Sequence, residues 1–169
     1  MGKHRYLVAL GSNVRHLRHG NPRGVLAAAI RKLDQGKTSV IAASHVMETA
    51  PLGPSRRRYA NAVAVVKSRH DPEDFLHKLQ RLERKFGRRR RGMAWGARVL
   101  DLDIVAWSGG AYAGGEGEQS LVIPHPAFRT RAFVLRPAAR IAGTWRDPLT
   151  GFTLRQLSAR LTKPRPAPR

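Results

Sequence analysis

Residues 98–107 read RVLDLDIVAW, and the interpretation of the whole chain depends on this stretch. Valine, leucine and isoleucine fill most of it, which is typical of a buried strand. Asp101 and Asp103 interrupt the apolar run at alternate positions. Because alternate residues of a strand project to one face, both carboxylates should point the same way, with Cα atoms roughly 6.5–7 Å apart. The leucine and isoleucine side chains between them should point into the core.

Two explanations fit such a pair. The acids could lie on a solvated strand edge and form salt bridges, or they could hold a divalent cation. Arginines at 88–91 and at Arg98 lie just before the pair. Magnesium and arginine around a polyphosphate are typical of phosphoryl-type transfer, which favours the second explanation.

In the segments around this strand, the apolar residues recur either with the period of a strand or with that of a helix. Strands are predicted over 5–10, 39–47, 59–66 and 121–123, in addition to 98–107. Helices are predicted over 22–33, between Asp71 and Gly87, over 128–141 with an interruption at Pro137, and over 153–161. The glycine-rich stretch 108–119 is predicted to be a flexible hairpin connection.

The element order β, α, β, β, α, β matches a ferredoxin-like α+β sandwich. Such a fold has a mostly antiparallel sheet with helices packed on one face, and here it carries C-terminal helical additions. We predict a single domain over residues 1–162. Residues 163–169 (KPRPAPR) are predicted to be a disordered basic tail.

Composition limits the class of protein. The chain has 169 residues, 41% of them hydrophobic, and no cysteine, which excludes disulfide and thiolate chemistry. No apolar run reaches the ~20 residues of a membrane helix, and no signal peptide is evident, so we expect a cytoplasmic protein without membrane association. The net charge of +21 fits nucleotides, nucleic acid or anionic membrane surfaces as partners, but a general arginine bias explains it equally well.

Several other motifs keep more than one interpretation. Gly36-Lys37-Thr38 resembles the end of a phosphate-binding loop, but the required preceding glycine is replaced by Arg31. His16 and His19 have the spacing of metal ligands or belong to an exposed basic loop. The donor and acceptor of the Asn61 amide suit either hydrogen bonds to a bound heterocycle or hydrogen bonds within the protein. Trp95 fits a base-stacking or lid residue.

Taken in order, these motifs resemble the 6-hydroxymethyl-7,8-dihydropterin pyrophosphokinase family of folate biosynthesis. The resemblance runs from about Tyr6 to Pro137, and its WGxRxLDLDI block is highly specific. The landmarks are LGSN (10–13), TAPLG (49–53), YANAV (59–63), LQRLERKFGR (79–88), WGARVLDLDIV (95–105) and IPHPAFRTRAFVL (123–135). The loop 14–23 is longer and more basic than is usual in the family.

The resemblance implies transfer of pyrophosphate from ATP to the pterin hydroxymethyl group, giving AMP, with two Mg²⁺ ions as cofactors. It implies a role for each residue that matches a family motif. The implied catalytic residues are Arg88, Arg98 and the metal ligands Asp101 and Asp103. The implied ATP-binding residues are Gln80, Glu83, Arg90, Trp95, Ile104, His125 and Arg131, with Trp95 on the lid. The implied pterin-binding residues are Thr49, Pro51, Leu52, Tyr59, Asn61 and Phe133.

The expected partners are therefore ATP and hydroxymethyldihydropterin, bound by a monomer. A second hypothesis, from another class, is a diverged basic paralogue that binds nucleic acid. It rests on the net charge and on the arginine runs 56–58 and 88–91. The intact pterin-pocket pattern makes nucleic acid a secondary partner at most.

Overall fold

The structure is a computed structural model, and it describes residues 3–50, 58–87 and 99–163. The described residues form seven strands, four α-helices and two short 3₁₀ turns. The strands are β1 (His4–Ser12), β2 (Thr38–Ala43), β3 (Met47–Thr49), β4 (Tyr59–Ser68), β5 (Asp101–Trp107), β6 (Tyr112–Gly114) and β7 (Leu121–Ile123). The helices are α1 (Pro22–Leu33), α2 (Pro72–Lys85), α3 (Ala132–Ala142) and α4 (Leu154–Thr162), and the 3₁₀ turns are Gly117–Gln119 and Phe128–Thr130.

The main sheet is antiparallel, with strand order β2-β4-β1-β5, and β3 also pairs with β4. The predicted ferredoxin-like arrangement is confirmed. Helices α1 and α2 cover one face, where they pack on Tyr6, Val8 and Leu10 of β1. Helices α3 and α4 cover the other face, where they pack on Leu7 of β1 and Val63 of β4. The C-terminal additions therefore bury the face that the sandwich would otherwise expose to solvent.

The N-termini of the first two helices follow from local chemistry. Asn21 Oδ1 accepts a hydrogen bond from Gly24 N at 3.0 Å, and Asp71 Oδ1 accepts one from Asp74 N at 2.9 Å. Each cap is followed by proline, whose missing N–H is not needed in the first helical turn. Both predicted helix starts are confirmed.

The predicted strand over 39–47 is wrong as a single element. The structure has β2 and β3, which pair with different parts of β4. Between them, Ser44 Oγ accepts the Val63 N–H at 2.9 Å, where a regular ladder would use a backbone carbonyl. A further register shift lies between Val40 and Ala42. The side-chain bond and the shift divide what the residue pattern predicted as one strand.

Two predictions for the C-terminal half also need correction. The helix does not stop at Pro137, since α3 continues through it. The interruption lies at Arg131, which is extended and separates the 3₁₀ turn Phe128–Thr130 from α3. The stretch 108–119 holds β6, which pairs with β7, and the hairpin is attached to α2 by the Tyr112–Glu73 hydrogen bond. Residues 164–169 of the predicted tail lie outside the described residues.

An ion pair between the partly exposed Arg129 and the buried Asp147 attaches the turn Phe128–Thr130 to the segment before α4. Arg129 donates from Nε and Nη2 to the two carboxylate oxygens of Asp147, each at 2.7 Å. Asp147 is 2% exposed and also accepts hydrogen bonds from Thr150 Oγ1 and Leu149 N. Burial raises the pKa of Asp147, but these donors outweigh it, so the pKa lies below its usual value.

Replacement of Asp147 by asparagine should leave Arg129 without its charge partner. We expect the Asp147→Asn change to lower the free energy of unfolding by about 3 kcal/mol. Urea unfolding should show this loss, whereas Glu48→Gln, in the exposed Arg23–Glu48 pair, should change stability by less than about 1 kcal/mol. If both changes lower the free energy of unfolding equally, the Arg129–Asp147 pair contributes no more to stability than the exposed Arg23–Glu48 pair, and the prediction is wrong.

The same ion pair predicts an acid dependence. A carboxyl group with a lowered pKa in the folded state stabilises the fold fully above its unfolded-state pKa of about 3.9. That contribution disappears as the pH falls through the lower folded-state pKa. Below about pH 4 the wild type should therefore lose stability more steeply than Asp147→Asn.

Among the described residues, no helix is both long enough and apolar enough to cross a bilayer.

Candidate active site

Strand β5 presents two carboxylates on one face, as the residue alternation predicts. Leu102 and Ile104 are 5% and 3% exposed and belong to the core under α1 and α2. Asp101 and Asp103 lie on the opposite face and are partly exposed. Val105 continues that face into the core under α3 and α4. Strand β5 therefore packs against both layers of helices. Its two acids lie on the face covered by α3 and α4, at the point where that cover ends.

Asn61 lies in the same cross-strand row as Asp101. Register pairs Asn61 with Gly11 on β1, and Gly11 with Asp101 on β5. Directly paired residues of antiparallel strands project to the same face, so the amide and the carboxylate face the same side. Two strand spacings put their Cα atoms roughly 10 Å apart.

Gly11 forms the floor between these two side chains. A Cβ at this position would lie 3.4 Å from Asn61 Oδ1 and 4.0 Å from Asp101 Cβ. Any larger side chain would fill the space between the amide and the carboxylate. The sequence pattern predicted that β1 ends at Leu10, but the strand runs through Gly11 to Ser12. A glycine inside a strand marks such close approaches, and this signal could have identified the position.

Asn61 is held in place by Thr49. Asn61 is 7% exposed, and its Nδ2 donates to Thr49 Oγ1 at 3.0 Å across the β3–β4 pair. Tyr59 pairs with Thr49 and lies two residues from Asn61, on the same face. Three residues of the implied pterin site are therefore contiguous. The amide nitrogen has a protein partner, and Oδ1 lies beside Gly11.

The chain after β7 brings His125 close to the acids. His125 N donates to Val105 O at 2.9 Å, which attaches this segment to β5. The ring Nδ1 accepts from Ala127 N at 3.1 Å, so the neutral ring carries its proton on Nε2. Burial lowers the pKa of His125, the nearby Asp103 and Asp101 raise it, and Arg131 lowers it, with a net decrease. Both acids and Arg131 therefore act on the same imidazole.

Arg131 and Phe133 lie at the start of α3. The Arg131 guanidinium carbon is 5.9 Å from the centre of the Phe133 ring, and the ring packs against the core under α3 and α4. The extended backbone at Arg131 turns the chain from the 3₁₀ turn into the helix. A cation and an aromatic ring are thus adjacent on the face that carries Asp101.

Helix α2 reaches the edge of the sheet through Glu83. Its Oε1 accepts the Leu102 N–H at 2.8 Å, and the side chain is 3% exposed. β5 is the last strand of the main sheet, so Glu83 takes the place of a further strand at this edge. Gln80, three residues earlier, lies on the same side of the helix. Ile104, another implied ATP-binding residue, has its side chain in the core under α1 and α2.

The remaining implied site residues lie outside the described residues. These are Pro51, Leu52, Arg88, Arg90, Trp95 and Arg98. Among the described residues, no group of three or more His, Cys, Asp or Glu side chains could hold a metal ion. The Asp101–Asp103 pair nevertheless fits Mg²⁺, which takes one or two carboxylates and completes its shell with water and phosphate oxygens.

His16 and His19 do not form a metal site with a third ligand in the described part of the chain. Their rings lie 4.7 Å apart, and His19 stacks on Phe86 at 5.1 Å. His16 Nδ1 accepts from the backbone N–H groups of Arg18 and His19. This arrangement supports the basic-loop interpretation of these histidines.

Comparison with known proteins gives consistent matches. The family model described as 7,8-dihydro-6-hydroxymethylpterin-pyrophosphokinase matches residues 7–143. The 2-amino-4-hydroxy-6-hydroxymethyldihydropteridine pyrophosphokinase of Pseudomonas aeruginosa is 36% identical over 151 residues, covering 85% of this chain and 84% of the relative. The Synechocystis protein of the same name is 41% identical over 106 residues, covering 62% of this chain and 51% of the relative.

Solved structures agree on the fold. The wild-type HPPK-DHPS of Plasmodium falciparum matches with a TM-score of 0.73 at 12% identity, covering 94% of this chain and 45% of that chain. This chain therefore spans about half the length of the Synechocystis relative and less than half of the Plasmodium chain. At this identity the likeness to the solved structure shows the fold alone.

The Glu83–Leu102 contact predicts a measurable loss of stability. Glu83→Ala removes a buried acceptor and leaves a void beside Leu102, so the free energy of unfolding should fall by about 2–4 kcal/mol. Glu83→Gln keeps an oxygen acceptor of similar shape and should recover most of this loss. Urea unfolding of both variants measures the difference, and an alanine variant as stable as the wild type would exclude the role given to this bond.

Proposed function

The chain belongs to the 7,8-dihydro-6-hydroxymethylpterin-pyrophosphokinase family, and we propose that it transfers pyrophosphate from ATP to 6-hydroxymethyl-7,8-dihydropterin. The products are AMP and the pterin diphosphate, in a step of folate biosynthesis. One observation carries the proposal: Asn61, Gly11 and Asp101 form a single row across the sheet. The row brings to one face an amide suited to contact a heterocycle and a carboxylate suited to hold Mg²⁺, which supports the proposal. The comparisons give no support to nucleic-acid binding as the main role.

The pterin end of the site is proposed to lie around Asn61. Its amide, supported by Thr49, offers polar atoms that complement the donor and acceptor edge of a pterin. Tyr59 and Phe133 would contribute aromatic surface, with Phe133 as the stacking ring. Pro51 and Leu52, which follow Thr49 closely in the chain, would complete this end.

The nucleotide end is proposed to lie around Asp101 and Asp103, which would hold two Mg²⁺ ions. When bound, Mg²⁺ neutralises the charge that develops on the transferred phosphates. Further ATP contacts are assigned to Gln80, Glu83, Arg90, Trp95, Ile104, His125 and Arg131. Since the Ile104 side chain lies in the core, its contact with ATP would come from the backbone.

The reaction needs positioning more than proton transfer. The pterin hydroxyl oxygen forms a bond to the β-phosphorus while the bond from that phosphorus to the α,β-bridging oxygen breaks, and AMP leaves with the electron pair. The hydroxyl proton is released, and no strong general base is required. Arg88 and Arg98 are assigned to the phosphates during transfer, and Trp95 to the lid that excludes water. Asn61 and Asp101 would hold the hydroxyl and the phosphate in line, since strand spacing fixes their separation.

A direct assay tests the proposal. The purified chain with ATP, 6-hydroxymethyl-7,8-dihydropterin and Mg²⁺ should produce AMP and pterin diphosphate in equal amounts, measured by ion-exchange chromatography. Omission of the pterin should abolish AMP formation, which excludes simple hydrolysis. Production of ADP in place of AMP, or no pterin-dependent product from a folded protein, would refute the proposed reaction.

The role of the acids can be tested separately. Asp101→Asn removes a carboxylate while keeping its shape, and we expect kcat to fall by at least about 100-fold. The matched control is Asp74→Asn, an exposed carboxylate in the first turn of α2, which should stay within about threefold of the wild type. Turnover and thermal melting should be measured on both variants. If Asp101→Asn is as active as the control, the metal assignment is wrong.

A further inference from the structure

A strongly basic depression lies on the side of the sheet covered by α1 and α2, opposite to the face that carries Asp101 and Asp103. Its lining includes Gly87 and Val99, which flank in sequence the residues 88–98 that lie outside the described part of the chain. It has a volume of about 1180 Å³ and lies between the loop after β1, the end of α1, and α2. We call it the basic groove. Arg15 and Arg18 of the loop, with Lys32 of α1, form one wall, and Arg81 and Lys85 of α2 form the other. None of the described side chains that line the groove is a carboxylate.

The basic groove and the proposed active site use different sides of α2. Successive residues of an α-helix are turned by about 100° around its axis. The side chain of Gln80, assigned to the active site, therefore points roughly 160° away from that of Lys78. Lys78 lines the groove, and its Nζ donates to Thr38 Oγ1 at 2.6 Å, which ties α2 to the start of β2. Asp101 is further separated, since it projects from the sheet face opposite to α1 and α2. The groove is therefore not an extension of the face that carries Asp101 and Asp103.

The cations of the groove are close enough to act on its histidines. Burial lowers the pKa of His19, and the neighbouring His16 and the cations Arg18, Arg31 and Lys32 lower it further. The pKa of His70, at the other end of the groove, is lowered first by burial and then by Lys78, Lys37 and Arg81, which together outweigh the opposing effect of Asp74. Both walls thus maintain a positive potential that an anionic ligand would relieve.

The positive surface continues beyond the groove. A smaller depression of about 280 Å³ shares Gly36 and Lys37 with it and is also lined by Lys3, Lys67 and Arg69. A compact anion would occupy one depression and leave the other empty. The basic groove and this smaller depression together form a continuous positive track. Such a track suits a linear polyanion, whose phosphates recur along its length.

The groove also offers rings beside its cations. His16 and His19 are partly exposed, they stack on each other, and His19 rests on buried Phe86. Single-stranded nucleic acids bind where a basic groove follows the backbone and flat side chains stack on bases. We propose that the basic groove is a second ligand site, which binds single-stranded nucleic acid in addition to the pyrophosphokinase activity.

Charge-matched variants test whether the groove, rather than the overall charge, binds nucleic acid. Lys32→Gln/Arg81→Gln removes one cation from each wall. The control, Arg136→Gln/Arg140→Gln, removes two exposed cations from α3. Binding of a fluorescent single strand of about 16 nucleotides should be measured by anisotropy from about 50 to 200 mM salt.

We expect the groove variant to lose about tenfold in affinity at the lowest salt, with the slope of log K against log salt reduced by about 0.7 per lost phosphate contact. The control should stay within about twofold of the wild type. Equal losses in the two variants would mean that diffuse charge causes the binding. That result, or no binding by the wild type at low salt, would overturn the proposal.

Two further measurements separate a nucleic acid from a compact anion. Arg69→Gln, at the far end of the track, should weaken binding of the strand of about 16 nucleotides but not of one of about 4 nucleotides. Tripolyphosphate should displace the long strand poorly at equal phosphate concentration. If it displaces the strand as well as unlabelled oligonucleotide does, the groove is a site for compact phosphates and the proposal is wrong.

The pyrophosphokinase assay completes the design. The Lys32→Gln/Arg81→Gln variant should form AMP within about twofold of the wild-type rate, because its changes lie away from the Asp101 face. Loss of AMP formation from a variant with an unchanged melting temperature would place the groove in the active site and overturn a separate ligand site. The binding assay contains no pterin, so its outcome does not depend on the proposed function.

Discussion

The geometry of the candidate site depends on one hydrogen bond, from the Leu102 N–H to the Glu83 carboxylate. In the sheet formed by the described residues, β5 pairs with β1 at one edge, so its other edge needs partners from outside that sheet. Glu83 supplies one at 2.8 Å from the interior of the protein, where water competes little. Leu102 lies between Asp101 and Asp103, and fixing its backbone therefore fixes both carboxylates relative to α2. The position of the acids is thus set by a helix as well as by the sheet.

The sheet sets the distance between the two ends of the site. Asn61 and Asp101 belong to different strands, and β1 separates them with a glycine. Hydrogen-bonded strands keep a spacing of about 4.8 Å, which loops and side chains alter little. An enzyme that joins two substrates gains most when their reacting atoms are held at a constant distance. With the amide and the carboxylate on the two strands that flank β1 in one rigid sheet, the proposed site would meet this requirement without a dedicated domain interface.

Periodicity and caps were enough to predict much of the fold. They identified α1 from 22 to 33, the start of α2 at Asp71, and the common face of Asp101 and Asp103. The failures arose where a side chain replaced a backbone partner, as Ser44 does between β2 and β3, or where packing tolerated a proline, as α3 does at Pro137. Contacts such as Glu83 with Leu102 join residues far apart in the chain, and no local pattern reveals them. The basic groove could not be predicted from the sequence for the same reason. The composition gives the number of cations but does not show which of them lie together in the fold.

The two acids of β5 also have a consequence for how the chain pairs with itself. Both faces of this strand meet apolar layers, so hydrophobic patterning alone distinguishes weakly between correct pairing with β1 and a slip of one residue. A slip would turn every side chain over and move Asp101 and Asp103 into the core under α1 and α2, where unpaired charge is strongly disfavoured. The residues assigned to metal binding therefore also penalise the misregistered sheet. Selection for catalysis and selection for a unique strand register would act on the same two positions.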